Sequence, residues 1–360
     1  MLNFKSKKIK EKKYKIGNIN FKTSYKNCEI CDSNKNELFQ NYGKIGNSPG
    51  KYGYLPVRIC KFCGLKFLSP RPSDKYYKMF FKLDYGASYF GSKDIPSINH
   101  LRFQKIRGEL IYNYFSKQYN KNVNILDHGC STGLTMRPWF KNNYNIVGFD
   151  PHRPSVNFGI TKYKLPIDFG FGEKLPYKKN TFELVISLGS LEHCFNLKKC
   201  LNEINRVLKP NGEMIIRWRS NKLIGSPLEY FGHNTLKFLN RHTWEYVLKK
   251  NGFGKIKFIN DKVEGYDSFE YIKVRKYKLR NFKPKKNIYK IEKNYLRKHL
   301  KYYKNLCFKI QNKKIKGFKN KINFIKKNRI GLMNIGKVKS VNRFFDETKY
   351  FINFVKNFKC

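Results

Sequence analysis

Residues 123–150, VNILDHGCSTGLTMRPWFKNNYNIVGFD, constrain the fold more than any other stretch of this chain. A short apolar run (Val123, Ile125, Leu126) ends in Asp127, and the glycine-bearing turn Gly129-Cys130-Ser131-Thr132-Gly133 follows at once. A helix-length segment leads to a second apolar run, Ile146-Val147-Gly148-Phe149, which ends in Asp150. The reading is strand, tight turn, helix, strand, with an acid closing each strand. Such crossovers build doubly wound α/β sheets, whose ligands bind at the carboxyl ends of the strands. Glycine lets a ligand approach the backbone, and an acid about 20 residues on can accept from ribose hydroxyls.

The glycine spacing is not that of a dinucleotide fingerprint, which needs Gly-x-Gly-x-x-Gly. Here it is Gly129-x-Ser131-x-Gly133. Downstream, Phe182-Glu183-Leu184-Val185-Ile186 reads as a strand, and Leu191-Glu192-His193 follows it. Leu197, Cys200, Leu201, Ile204, Val207 and Leu208 then fall on one face of a helix. Lys209-Pro210-Asn211-Gly212 is a stop-and-turn signal, and Glu213 to Trp218 is the next strand. Taken in order, these segments resemble the motifs of class I S-adenosylmethionine-dependent methyltransferases. The resemblance covers roughly residues 105–260, with Ser131 in place of the middle glycine.

The resemblance implies a Rossmann-like α/β domain that uses S-adenosylmethionine. Gly129, Cys130 and Gly133 are expected against its methionyl part, Asp127 near its amino group, and Asp150 on its ribose, although Asp150 also suits a helix cap. Leu188, Gly172 and Glu173 complete the expected cofactor contacts. Gly172-Glu173-Lys174-Leu175-Pro176-Tyr177 resembles a family segment that opens with an adenine-contacting Asp, but Phe171 occupies that place; stacking or Asp168 is the expected substitute. Glu192-His193 and His233 are the candidate acid–base groups: imidazole can take a proton from a hydroxyl near neutral pH, and a neighbouring carboxylate can orient it. Cys194 and Cys200 read as small core or turn residues.

Cys28-x-x-Cys31 and Cys60-x-x-Cys63-Gly64 form two knuckles 28 residues apart. Thiolates in this arrangement suit a closed, tetrahedral, structural zinc. With Arg58–Pro72 and the Asp84-Tyr85-Gly86 and Tyr89-Phe90 segments, the layout resembles a zinc ribbon preceding a methyltransferase domain in bacterial surface-polysaccharide and modified-sugar pathways. That analogy implies a sugar acceptor, either nucleotide-linked or in a lipid-linked or polymeric glycan.

The expected division is a basic leader (1–26), a zinc module (27–72), a connecting helical segment (73–122), the methyltransferase domain (123–260) and a basic, aromatic, mostly helical extension (261–360). In the connector, Leu101, Ile106, Leu110, Ile111 and Tyr114 share helical spacing. The net charge is +51; A/T-rich codons account for part of the lysine excess, but residues 271–330 carry 23 Lys/Arg against one acid, Glu292. Such a segment suits an anionic membrane surface, less well nucleic acid, or a solvated helix pair. No apolar run is long enough to span a bilayer and the N-terminus lacks an apolar signal core, so the expected location is cytoplasmic, with a peripheral position on the membrane's inner face compatible with the charge. Nine cysteines fit a reducing compartment. The rival readings are an RNA methyltransferase, for which Ser187-Leu188-Gly189-Ser190 lacks a Pro-Cys or Asn-Pro-Pro-Tyr-like loop, and a non-catalytic scaffold of the same fold. The sequence leaves the acceptor atom and the oligomeric state open.

Overall fold

The computed structural model describes residues 14–16, 19–21, 23–44, 52–84, 96–219, 235–259, 263, 269–277, 282–312, 319–321, 323 and 345. They belong to two compact units. One comprises residues 74–220 and 241–285, the other residues 1–73, 221–240 and 286–360.

The first unit contains a seven-stranded sheet. Its strands are β1 (Asn124–His128), β2 (Asn145–Asp150), β3 (Ile167–Phe169), β4 (Phe182–Leu188), β5 (Leu208–Arg219), β6 (Phe253–Ile259) and β7 (Phe269–Lys276). Their order is β3-β2-β1-β4-β5-β7-β6. The first five are parallel, while β7 pairs antiparallel with both β5 and β6. The parallel strands read as near-continuous apolar runs because both faces are covered. The order reverses between β1 and β4, which puts a ligand site outside the carboxyl ends of those strands.

The helices of this unit are α1 (Ile98–Phe115), α2 (Arg137–Lys141), α3 (Arg153–Tyr163), α4 (Leu197–Val207) and α5 (Arg241–Lys250). α4 buries Leu197, Cys200, Leu201, Ile204 and Val207, the face its periodicity predicts. Asn196 caps it by accepting from the Lys199 amide at 2.9 Å. Leu208 belongs to β5 rather than to the helix. The expected Lys209–Gly212 turn is an excursion within β5: Phe182 pairs with Leu208, Leu184 with Glu213, and Asn211 takes φ 62° between them.

α1 has the expected boundaries but a different buried face. Gln104, Gly108, Ile111 and Phe115 are buried, while Ile106 is 58% exposed and Tyr114 40%. A Cβ on Gly108 would lie 2.7 Å from the Leu134 carbonyl oxygen, so only glycine permits this approach of helix to loop. Gln104 accepts from the Thr132 hydroxyl at 2.7 Å. A small residue and a polar one thus define the packed face, which apolar periodicity cannot show. The helix is part of the sheet-containing unit and not a connector.

The second unit holds a four-stranded antiparallel sheet in the order Lys237–Phe238, Lys66–Leu68, Tyr52–Cys60, Asn36–Lys44. Thr23–Ser24 pairs with Arg71–Pro72, and Tyr14–Ile16 with Ile19–Phe21. Helix α6 (Ile288–Asn312) belongs to it too. A Cβ on Gly64 would lie 2.9 Å from Glu292 Cγ and 3.3 Å from Ile288 Cγ1, so the helix rests on the second cysteine knuckle. Lys66 forms a fully buried ion pair with Glu292, and Glu37 holds Lys293 and the Tyr289 hydroxyl.

The expected linear division therefore differs from the observed one. The cysteine module draws segments from three parts of the chain, and the extension assigned to 261–360 supplies β7 to the seven-stranded sheet. No described helix is long and apolar enough to cross a membrane.

Candidate active site

A cavity opens at the carboxyl ends of β1, β2 and β4. Its lining includes Gly129 and Ser131 from the loop after β1, Phe149 and Asp150 at the end of β2, and Leu188, Gly189 and Ser190 after β4. Phe171, Gly172 and Glu173 line it after β3, and His193, Cys194 and Phe195 beyond β4.

The two loops meet where glycine is required. Gly129 has φ +81°, and a Cβ there would lie 2.3 Å from Ser190 Cβ. Ser131, which replaces the middle glycine, keeps the left-handed backbone at φ 54°. Its amide donates to Asp150 Oδ2 at 2.7 Å, and the His152 amide donates to Asp150 Oδ1 at 2.8 Å. Asp150 thus braces the loop and faces the cavity at once, and each oxygen keeps a lone pair for a further donor. Burial raises its carboxyl to about 6.

Asp127 and Gly133 serve the cavity from behind. Asp127 is fully buried, accepts from the Thr135 hydroxyl at 2.8 Å, and is pushed up to about 7 by burial; its Oδ1 has no hydrogen-bond partner. A Cβ on Gly133 would meet Leu165 Cδ1 at 2.7 Å, so this glycine packs the loop against the core. Cys130 joins the same core. These three expected cofactor residues lie outside the lining, whereas Gly129, Asp150, Gly172, Glu173 and Leu188 lie within it.

His193 lines the cavity, its ring 6.5 Å from that of Phe81. Glu192 lies outside the lining, and its buried Oε2 has no hydrogen-bond partner, so that oxygen does not orient the imidazole. His233 lies outside the described residues. Phe171 presents its ring to the cavity, edge-on to Phe169 at 6.2 Å. Asp168 is exposed, outside the lining, and accepts from the Tyr177 hydroxyl at 2.9 Å; the expectation that it could replace the missing adenine contact does not hold.

Sequence reasoning missed a third wall. α1 contributes His100, Gln104 and Arg107, and His128 and His152 flank the strand ends. Arg107 lies over the Phe103 ring at 4.2 Å. Burial lowers His100, His128 and His152 to about 4, with Arg107 adding to the effect at His100, so all three are neutral at pH 7. The buried, polar face of α1 was the available signal, and only the fold places it over the glycine loop.

In the other unit the four cysteines converge. Cys28 and Cys63 sulfurs are 3.5 Å apart, Cys31 and Cys60 3.5 Å, and Cys31 and Cys63 3.8 Å. The turn residues Asp32 (φ 58°) and Gly64 (φ 73°) close the two knuckles, their amides donating to the Cys28 and Cys60 carbonyls. All four sulfurs lie within 4.8 Å of one another, close enough to share one ion. The spacing and donor set fit a tetrahedral soft divalent metal.

The strand order, the glycine turn and the acids at the strand ends define a doubly wound domain built for a nucleoside-bearing cofactor. Residues 126–216 match the family model described as "Methyltransferase domain". That segment is a class I, S-adenosylmethionine-dependent methyltransferase domain. Over 167 residues the chain is 26% identical to the ubiquinone biosynthesis O-methyltransferase of Pelagibacter ubique, covering 44% of this chain and 70% of that one. Over 133 residues it is 29% identical to the malonyl-[acyl-carrier protein] O-methyltransferase of Buchnera aphidicola, covering 36% and 52%. A solved S-adenosylmethionine-dependent methyltransferase from Aquifex aeolicus aligns with 51% of this chain and 94% of its own, at 17% identity and a TM-score of 0.39.

Proposed function

We propose that the protein methylates a hydroxyl oxygen of a sugar, in a nucleotide-linked precursor or in a lipid-linked or polymeric glycan. The observation that carries the transfer reading is the cavity where Gly129, Asp150 and His193 meet at the strand ends. Oxygen as acceptor is supported by relatives named O-methyltransferases. The sugar rests on the layout, a four-cysteine module ahead of the methyltransferase motifs.

When bound, S-adenosylmethionine supplies a methyl group activated by its sulfonium. The chain's residues have distinct tasks. Gly129 admits the methionyl backbone without a side-chain clash, and Arg107 offers its guanidinium to a carboxylate. Asp150 accepts from ribose hydroxyls through the lone pairs its amide partners leave. Phe171, Gly172, Glu173 and Leu188 enclose the adenine, the Phe171 ring standing where an acid would otherwise bond it. Asp127, Cys130 and Gly133 hold the loop in shape from behind. His193 would take the proton of the acceptor hydroxyl as its oxygen displaces the methyl group from the sulfonium, whose electron pair stays on sulfur. Alignment of donor and acceptor supplies much of the acceleration. Cys28, Cys31, Cys60 and Cys63 hold one structural zinc, whose chemistry is confined to folding its own unit.

Calorimetry with S-adenosylmethionine tests the cofactor site: one equivalent should bind, and Asp150→Ala or Gly129→Val should weaken it severely. Methyl transfer is then assayed with sugar nucleotides and with RNA. Transfer to RNA alone would replace the sugar reading, and no binding by the intact chain would leave a non-catalytic scaffold.

A further inference from the structure

A second cluster of metal-ligand atoms lies in the wall of the active-site cavity. Glu173, Cys194 and Cys200 each bring one ligand atom to within 4.8 Å of the other two. They come from separate segments: the turn after β3, the turn after β4, and α4.

His128, at the end of β1, points a fourth donor the same way. It is 97% buried, 3% of its surface being exposed, and its Nε2 has no hydrogen-bond partner. The tautomer follows from its neighbours. Where Ser190 Oγ, which also lies 2.7 Å from Ser187 Oγ, donates its single proton to the His128 carbonyl at 2.8 Å, it accepts at 3.1 Å from His128 Nδ1. The proton then sits on Nδ1 and the lone pair on Nε2, the arrangement of metal-ligating histidines. Gly172 leaves the space open: a Cβ there would lie 2.4 Å from His128 Nε2 and 2.9 Å from Cys200 Sγ. Glu173 is oriented too, its Oε1 accepting from the Asn196 amide at 3.0 Å.

The geometry points to a second metal site formed by His128, Glu173, Cys194 and Cys200, which takes a borderline-soft divalent cation such as zinc. Two sulfurs, a nitrogen and a carboxylate oxygen suit that class. Sulfurs on a tetrahedral zinc stand roughly 3.8 Å apart. The two sulfurs, within 4.8 Å of each other, thus need to approach by about 1 Å at most to share a zinc, which Cys194 can do because it sits partly exposed on a turn. With four protein donors the site is closed. Its effect is to tie together four segments that wall the cavity.

The test is metal content of the full chain after zinc loading and desalting. We expect two equivalents in the wild type, and one after joint Cys194→Ser and Cys200→Ser substitution. Glu173→Gln should weaken the second equivalent while leaving the first. A single equivalent in the wild type, untouched by the paired substitution, overturns the site. Cys200 is fully buried, so its loss can disturb folding, and cobalt titration of the unaltered chain gives an independent reading. The second cobalt equivalent should add an absorption set distinct from that of the four-thiolate centre. No change beyond the first equivalent, or equal reactivity of Cys194 with a thiol reagent before and after metal loading, also overturns it.

Discussion

Gly129→Ala should cost stability through two separable effects, and Ser190 tells them apart. The backbone at φ +81° is one that L side chains rarely adopt, with a penalty of roughly 1–2 kcal/mol. The added Cβ would also lie 2.3 Å from Ser190 Cβ and 2.7 Å from its Oγ; overpacking of this kind costs about 1–3 kcal/mol. Together they give roughly 2–5 kcal/mol, large against a typical total of about 5–15 kcal/mol. Ser190→Gly removes the second effect and leaves the first. In that background Gly129→Ala should cost only about 1–2 kcal/mol, and a double-mutant cycle should return a coupling of roughly 1–3 kcal/mol. The assay is urea unfolding followed by tryptophan fluorescence. Trp139, Trp218 and Trp244 all lie buried in the unit that holds the cavity, so the signal reports that unit alone. Equal costs in both backgrounds would refute the contact as the cause, and a cost below about 0.5 kcal/mol would refute the backbone argument as well.

Four further outcomes follow from the structure. Asp150 titrates at about 6 in the unliganded protein and binds hydroxyls better when ionised, so cofactor affinity should fall as pH drops below about 6 and Asp150→Asn should flatten that dependence in calorimetry. Burial lifts both Asp150 and Asp127 (to about 7) above 3.8, so their contribution to stability is full below 3.8 and lost as pH rises through 6 to 7; Asp127→Asn should remove part of that loss in urea melts at pH 5 and 8. His193→Gln should lower kcat roughly 10²–10⁴-fold, the usual worth of a general base, while cofactor binding stays within error; an unchanged kcat assigns the proton elsewhere. Chelation of metal from the Cys28–Cys63 cluster should speed amide exchange in α6 as well as in the knuckles, because Gly64 packs against Ile288 and Glu292; protection of α6 that survives chelation would show that the helix docks independently.

What the sequence disclosed, and what it hid, has a physical pattern. Strand ends and turn glycines are local, so β1, β2 and the Gly129 turn are legible from residues 123–150 alone. The α4 face is legible because its buried positions are apolar and periodic. Three features needed the fold. α1 packs through Gly108 and Gln104, which carry no hydrophobic signal, so its contribution of His100 and Arg107 to the cavity was hidden. Gly133 and Gly129 look alike in sequence, yet one faces Leu165 and the other Ser190 across the cavity floor. Asp168 and Phe171 lie three residues apart, and only strand direction shows that the ring, and not the carboxylate, faces the cavity. The cysteine knuckles were plain, but that α6 packs on them depends on a pairing of Lys66 with Glu292 across 226 residues.

That dependence changes how the basic C-terminal region must be tested. Deleting residues 271–330 would remove most of β7, whose Tyr271, Ile272 and Val274 are buried at the heart of the sheet. It would also strip Lys66 of Glu292 and leave a buried charge unpaired, at a cost of about 3–5 kcal/mol. Nor is every charge in the run available to a partner, since Lys273 and Arg275 both pair with Glu213. The exposed cations of α6 are a cleaner target: Lys290, Arg297, Lys298, Lys301 and Lys309 project from a helix held by its other face. Each basic residue near an anionic bilayer contributes about 1 kcal/mol. Changing all five to Gln should therefore lower affinity for vesicles rich in anionic lipid by roughly three to four orders of magnitude, while tryptophan-monitored stability and cofactor binding stay as they were. Vesicle binding that survives the five substitutions would move the contact off α6. Binding that is weak in the intact chain would mean that these lysines serve solvation alone.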